Sequence, residues 1–463
     1  GAYSLDANTT GIRNTAIGFN TLGANTANAN TAVGYDAARD NTSAVNINAF
    51  GYLALQANTT GNNNSAFGTE ALDANTTGQA NTAFGYATLS ASTTGNYITC
   101  IGALSGLYIT GSNNTALGYK AYQGVSGQST GANNTAIGYE ALELNTTGNN
   151  NVAVGVEALT TNTIGAQNVA VGNSALKDCT TGTLNTAIGH AALDDLTIGN
   201  YNTAIGRLAL SAVTTQEHNT AVGMNALNAT TASYNTAVGS EALTTNGNGT
   251  KNVAVGRSAL RASTSASNNV AVGDEALKTN TTGHRNVAIG ARAAELNTTG
   301  SSNVAIGYEV LEDNTTGANN IAIGDSAMEL NTTGSNNTAI GLSALLSNTT
   351  GQYNTAVGST ALDALTTASK TTAVGYGALG ATTTGYDNTA VGHGSIGANT
   401  TGHKHVAVGA YSLDANTTGN NNAAIGHSAL TANTTGSSNI ALGTDALKAN
   451  TTANNNTAIG YAA

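Results

Sequence analysis

The pentapeptide N-T-A-I-G, with Val, Phe or Leu allowed for Ile, returns along the whole chain at an almost fixed step. Its glycine falls at Gly18, Gly34, Gly51, Gly68 and Gly85 and continues to Gly426, Gly443 and Gly460. Of the 27 intervals counted from Gly1, 23 are 17 residues long, three are 16 and one is 20. The string G-A-Y-S-L-D-A-N-T-T-G therefore stands at 1–11 and again at 409–419, a whole number of periods later. A step this short cannot enclose a core of its own, so each repeat must bury its apolar side against its neighbours.

Numbered from glycine as position 1, the consensus is G-Y-x-A-L-x-x-N-T-T-G-x-x-N-T-A-I. Seventeen residues are too few for helical or leucine-rich repeats, and the period fits no pentapeptide, hexapeptide or nonapeptide solenoid. N-T-A-I/V-G favours a strand and N-T-T-G a turn. The expected fold is all-β: a parallel β-solenoid (β-roll) of about 27 coils with a 17-residue repeat, each coil holding two short strands and two corners. Stacked at about 4.8 Å per coil, the array would be a rod roughly 130 Å long. The length of 463 residues would otherwise suggest two or three globular domains. With no Pro, no Trp and 5% aromatic residues, thick cores are excluded, while 40% apolar content is too high for a disordered tract. One continuous array over 1–463 is expected, with a looped irregular coil at 118–138 that carries three extra residues.

Recurrence among coils reports on each position. Position 17 is always apolar (Ile17, Val33, Phe50, Phe67, Phe84 and on to Ile459), and position 15 is mostly Thr, Val or Ile. Position 5 is Leu in 21 of 27 coils; position 16 is Ala in 26, with Cys100 the exception. Position 14 is Asn in 23 of 27, the exceptions being Ile47, Ile98, Thr371 and His405. On a strand, positions 15 and 17 share one face and 14, 16 and the next glycine the other. Neither face admits a charge, so both are expected to be buried. A thin roll has one interior, and the second buried face, taken as the Ala/Gly side, would meet another chain or layer. The Asn column should form a ladder from coil to coil, and the three phenylalanines should stack.

All 39 charged residues occupy positions 2, 3, 6, 7, 12 or 13, which reads as a solvated skin. A net charge of −11 without a basic cluster makes nucleic-acid binding unexpected. No apolar run approaches the about 20 residues of a membrane span, so no membrane insertion is expected. The chain starts at Gly1 with no recognisable signal peptide, anchor, stalk or flanking domain, and is expected to be a mature product or a piece of something longer.

The string N-T-A-I-G-Y-E-A-L-E-L-N-T-T-G-N-N-N-V-A-V-G at 134–155 resembles the head repeats of YadA-like trimeric autotransporter adhesins. Those use a shorter coil in a left-handed parallel β-roll trimer. The longer coil with its N-T-T-G turn resembles repeats in the shafts of phage tail fibres and similar bacterial surface proteins. The resemblance covers essentially the whole chain, and its specificity comes from repetition. It implies a left-handed homotrimeric rod.

Chemistry is sparse in the sequence. Cys100 stands in the Ala column and Cys179 in the Asn column of the turn, nearly five coils apart, too far for a disulfide within the chain. Cys100 reads as an Ala substitute; Cys179 reads as free or as a cross-link between chains. His403-Lys404-His405 is the one metal candidate, because H-x-H on a three-fold axis would offer six imidazoles. Against it, His405 replaces a ladder Asn. His190, His218, His284, His393 and His427 are scattered over the skin. Glu312-Asp313 and Asp194-Asp195 lie on skin positions, and no nucleophile–His–acid set or phosphate loop stands out. N-T-T matches the N-glycosylation sequon repeatedly, but its spacing is that of the turn. Tyrosines after the motif glycine could bind glycans, although corner packing explains them.

No catalytic residue and no cofactor are expected. The expected role is a non-enzymatic extracellular fibre or adhesin shaft, on a virion or a cell surface, that self-associates as a homotrimer or end-to-end filament and meets a cell-surface glycan or receptor. The alternatives are an ice-binding β-solenoid, from stacked Thr at positions 9, 10 and 15, and a glycan-cleaving tailspike.

Overall fold

The computed structural model describes residues 1–463. It is all-β, with 27 three-residue strands and no helix. The chain divides into two compact units. Residues 1–233 carry β1 (Thr15–Ile17) to β13 (Thr220–Val222), and residues 234–463 carry β14 (Thr236–Val238) to β27 (Thr457–Ile459). Within each unit, successive strands pair in parallel and in register. Thr15, Ala16 and Ile17 lie opposite Thr31, Ala32 and Val33 in the first; Val253, Ala254 and Val255 lie opposite Val270, Ala271 and Val272 in the second. Each unit is a parallel β-solenoid with one repeat per coil. No helix is long and apolar enough to cross a membrane.

Each coil holds one strand, over positions 15–17, where two were expected. Positions 2–7 turn instead, because positions 3 and 5 sit in the left-handed region: Glu70 has φ 55° and Leu72 φ 54°. Left-handed residues curl the chain yet keep N–H groups pointing at the neighbouring coils, position 5 at the next and position 3 at the one before. Leu72 N donates to Thr88 O at 2.9 Å, and Glu70 N to Tyr52 O at 2.9 Å. The backbone is thus paired from coil to coil outside the strand as well as in it. The glycine opening each coil is required by geometry. Gly290 has φ 135°, and a Cβ there would run into the carbonyl oxygen of Gly307 in the following coil.

The core is thin and half polar. In the coil 138–154, Ala141, Leu142, Asn145, Asn151 and Ala153 are all fully buried. Two Asn columns line it. At position 14, the amide oxygen accepts the backbone N–H of the equivalent Asn one coil on, and the amide nitrogen donates to the turn carbonyl of that coil. Asn151 N donates to Asn134 Oδ1 at 2.9 Å, and Asn134 Nδ2 to Gly148 O at 2.9 Å. This is the expected ladder. At position 8, Asn side chains bond one another: Asn314 Nδ2 donates to Asn297 Oδ1 at 2.7 Å, and Asn331 Nδ2 to Asn314 Oδ1 at 2.7 Å. The second ladder was not foreseen; its sequence signal was the first residue of N-T-T-G, read only as a turn former.

The coil length varies where backbone bonds are shared. In a full coil both turn threonines donate to one carbonyl, as Thr298 N and Thr299 N do to Thr315 O at 2.9 and 3.1 Å. All three 16-residue coils lack one of these two residues. In the coil opening at Gly18, Thr26 N alone makes this bond, to Thr42 O at 3.1 Å. The long coil drops a turn residue and gains Val125–Gln128 as a surface bulge, with Ser129 in the place of the ladder Asn. Tyr122, at the usual Leu position, fills the gap. Its buried hydroxyl accepts from Asn145 Nδ2 at 2.8 Å and donates to Gly131 O at 3.2 Å, in the role of the missing amide. Burial pushes this phenol up to about 12.

Candidate functional site

The side of the strand that was expected to meet another chain is the inside of the coil. Ala153, Ala170 and Ala187 of the small face are fully buried within the chain. Position 5 explains this: Leu142, Leu159 and Leu176 turn inward against the Ala column, and a ring of 17 residues has room for no larger pair. The face of positions 15 and 17, which alternates a mostly Thr or Val column with an apolar one, points outward. Ile289, Ile340 and Val391 remain 37–40% exposed. Each strand interior has the same alternation, open–buried–open, as in the burial of Val304–Ile306.

Position 17 is apolar in every coil and position 15 never carries a charge. This runs against the usual chemistry of an exposed β surface, where Lys and Glu appear. Phe50, Phe67 and Phe84 stack along it, with ring centroids 4.8 and 5.7 Å apart. Each coil adds on the order of 100 Å² of accessible, mainly apolar surface, so eight coils reach the about 800 Å² per partner of a stable interface. Residues 234–463 alone carry 14 such strands. Contiguous apolar surface of this size marks an interaction face.

The other sequence candidates are drawn into the scaffold. His405 is fully buried in the position-14 ladder. Its Nδ1 accepts from Asn422 N at 3.2 Å, and its Nε2 faces Asn416 Nδ2 at 3.2 Å, so the ring stands in for an amide. Burial lowers it to about 4. His403 is half-buried and stacks on Tyr386 with centroids 4.7 Å apart. The two imidazoles do different work: one closes the interior and the other packs on the skin. Cys100 and Cys179 are free and buried, and burial pushes both thiols up to about 12. Cys179 is therefore not presented to a second chain.

The sequon asparagines Asn145, Asn297 and Asn314 are buried ladder members with their amide nitrogens donating inside the coil. A folded chain does not offer them for glycosylation. The turn hydroxyls are engaged too: Thr298 Oγ1 donates to Thr315 O at 2.9 Å, and Thr315 Oγ1 to Thr332 O at 3.0 Å.

Charges concentrate in the coils from Arg257 to Glu329. Arg292 bonds Glu295 at 3.1 Å and also pairs with Glu309 and Glu312. Glu309, Glu312 and Glu329 bring carboxylate oxygens within 4.8 Å of one another, and the guanidinium of Arg292 meets two of them. Of Glu312-Asp313, Glu312 thus belongs to an ion-pair network on the skin. In Asp194-Asp195, burial, with Asp195 beside it, raises the Asp194 carboxyl. Neither pair has a nucleophile or His at hydrogen-bonding distance among its bonds.

Comparison with protein-family models and with curated proteins finds no match for this sequence. The class that fold and surface define is a parallel β-solenoid with an uncharged outer sheet face that carries a continuous apolar column.

Proposed function

We propose that the chain is a non-catalytic structural fibre or adhesin shaft, acting outside the cell on a virion or a cell surface, and that copies of it associate as a homotrimer. The observation that carries this reading is the outward face of the strands: apolar at position 17 in all 27 coils and without a charge at position 15. A second copy of this chain is the occupant that fits best. It presents the same face at the same coil spacing, so every coil meets a matching coil, and the area available exceeds what a stable interface needs. The role of the Ala column is then the interior of each chain, and that of the aliphatic column the contact between chains. The resemblance of 134–155 to trimeric adhesin and tail-fibre repeats points the same way.

The test is the native mass by light scattering after size exclusion, on the full chain and on the double variant Ile289→Lys/Ile340→Lys. The expected mass is near three times 45.7 kDa for the parent. The variant, whose substitutions lie outside the core, is expected to shift toward monomer with an unchanged circular dichroism spectrum. A ladder of larger masses would indicate end-to-end filaments. A clean monomer for the parent would overturn the reading and bring the ice-binding solenoid forward, to be judged by thermal hysteresis.

A further inference from the structure

Position 2 of the coil sets an aromatic ring beside the ring of the next coil wherever two successive coils both carry one. Phe19 stacks on Tyr35 in this way, at 5.2 Å between centroids. Of the 17 tyrosines, two pairs meet ring to ring. Tyr35 and Tyr52 have centroids 5.6 Å apart and planes 21° from parallel. Tyr119 and Tyr139 have centroids 5.6 Å apart and planes 19° from parallel. All four rings are 44–49% exposed. Other position-2 tyrosines lack such a neighbour: Tyr86 is followed one coil on by Ala103, Tyr308 by Asp325 and Tyr376 by His393.

The stacking bears on what these rings can do. Within each pair the facing sides cover one another, and the ring edges meet solvent. Edges carry the phenol oxygen and the carbons beside it. Those are the atoms at which a tyrosyl radical reacts, and in each pair a second phenol stands one coil away.

We propose that Tyr35–Tyr52 and Tyr119–Tyr139 are oxidative cross-linking sites, each joined by a carbon–carbon bond between ring positions ortho to the hydroxyls. The oxidant is hydrogen peroxide acting through a haem peroxidase. Each phenol loses one hydrogen atom, the peroxide takes up both and leaves as two waters, the two radicals couple, and the rings regain aromaticity by moving the ring hydrogens to oxygen. One bridge consumes one peroxide and removes two hydrogens from the protein. The second bridge would tie the long coil, where Ser129 interrupts the position-8 ladder after Ile109 in the coil before, to the next coil. The proposal stands independently of the fibre reading, since both rings of each pair lie in one chain.

The test treats the purified full chain, at low concentration, with a haem peroxidase and hydrogen peroxide. Dityrosine fluorescence, the intact mass and a map of bridged peptides are then read. Expected are monomer-sized chains lighter by two hydrogens per bridge, with Tyr35 joined to Tyr52 and Tyr119 to Tyr139. The double variant Tyr52→Phe/Tyr139→Phe should lose both intrachain bridges. It keeps the stack, because Phe19 already occupies the same position. Bridges spread over other tyrosines, bridges found only between chains, or undiminished intrachain bridging in the variant would each overturn the proposal.

Discussion

The two units follow one coil plan with different strictness. From Gly239 to Gly460 every glycine interval is 17 residues, whereas the 16- and 20-residue coils all open at or before Gly223. The position-8 ladder differs in the same sense. In the second unit it breaks only at Ser263 and at Leu365 and Thr382, and runs from Asn280 through Asn297, Asn314 and Asn331 to Asn348 with steps of 2.7–2.8 Å. In the first it gives way to Ser92, Ile109 and Ser129, and later to Cys179, Leu196 and Val213. Yet the strands pair in the same register on both sides of each change. Register is therefore held by the strand and the opening glycine, while the turn and position 8 have freedom and position 14 tolerates Ile47 and Ile98.

At three places where a run of ladder asparagines ends, an amide oxygen is left without a donor: Asn75 before Ser92, Asn162 before Cys179 and Asn348 before Leu365; at Asn246 the hydroxyl of Ser263 supplies one, at 3.3 Å. A ladder is satisfied within a run and pays only at its ends. Replacing three residues together, as Cys179, Leu196 and Val213 do, removes donors and acceptors as a block, which is the inexpensive way to lose a hydrogen bond.

The largest effect should come from the opening glycine of the regular unit. Gly290→Ala meets both a backbone clash and a left-handed φ, so a loss above about 3 kcal/mol in urea unfolding is expected. Gly127→Ala in the bulge, with nothing within 4 Å, should lose about 1 kcal/mol. Equal losses would mean that the bulge is as constrained as the coil.

Acid comes next. The imidazole ordinarily titrates at 6.5, and His405 is held near 4. The unfolded chain takes up that proton first, so the stabilisation is intact above pH 6.5 and is lost as pH falls from 6.5 to 4. The loss amounts to about 3 kcal/mol and levels off below pH 4. His405→Asn should flatten this dependence in stability measured against pH. The first unit, with Ile47 and Ile98 at its ladder substitutions, should lack such a step.

Third is a break in an intact ladder run. Asn314→Leu removes the bonds to Asn297, Gly317 and Asn331 and strands their partners, at a cost of about 2–3 kcal/mol by thermal or urea unfolding. The opposite change at a run's end, Cys179→Asn, gives Asn162 Oδ1 a donor but leaves the new amide oxygen facing Leu196, so a net change within about 1 kcal/mol is expected. A larger loss would mean that the apolar block from Cys179 to Val213 repels an amide. The smallest effect should be deletion of Thr299, which turns a full coil into a short one and removes one of two donors sharing Thr315 O. A loss of at most about 1 kcal/mol is expected.

The period, the strand at N-T-A-I-G and the charged skin were legible because each shows in recurrence alone. The direction of the strand was not. Alternation separates Ala153 from Val152 and Val154, but the rule that large apolar residues go inside assigns them the wrong way round. The coil is too narrow for Val or Ile beside Leu159, and only spatial size decides that. The left-handed turn was hidden because Leu, Glu and Tyr occupy it in place of Gly or Asn, as at Leu72, Glu70 and Tyr411. Tyr122 was legible as an odd residue at a Leu position. Its partnership with the missing Asn needed coordinates.

The shared carbonyl in the turn and the coil-to-neighbour bonding have a consequence for inheritance. Within a unit, each coil is bonded to the one before and the one after. A genetic event that duplicates or removes a whole number of coils therefore leaves the remaining junctions as they were; exchange between the identical words 1–11 and 409–419 would move 24 coils at once. Imprecise slippage that costs one turn residue is also survivable. Copy number can then drift in a lineage faster than the wording of any coil, and related chains should differ first by how many coils they hold.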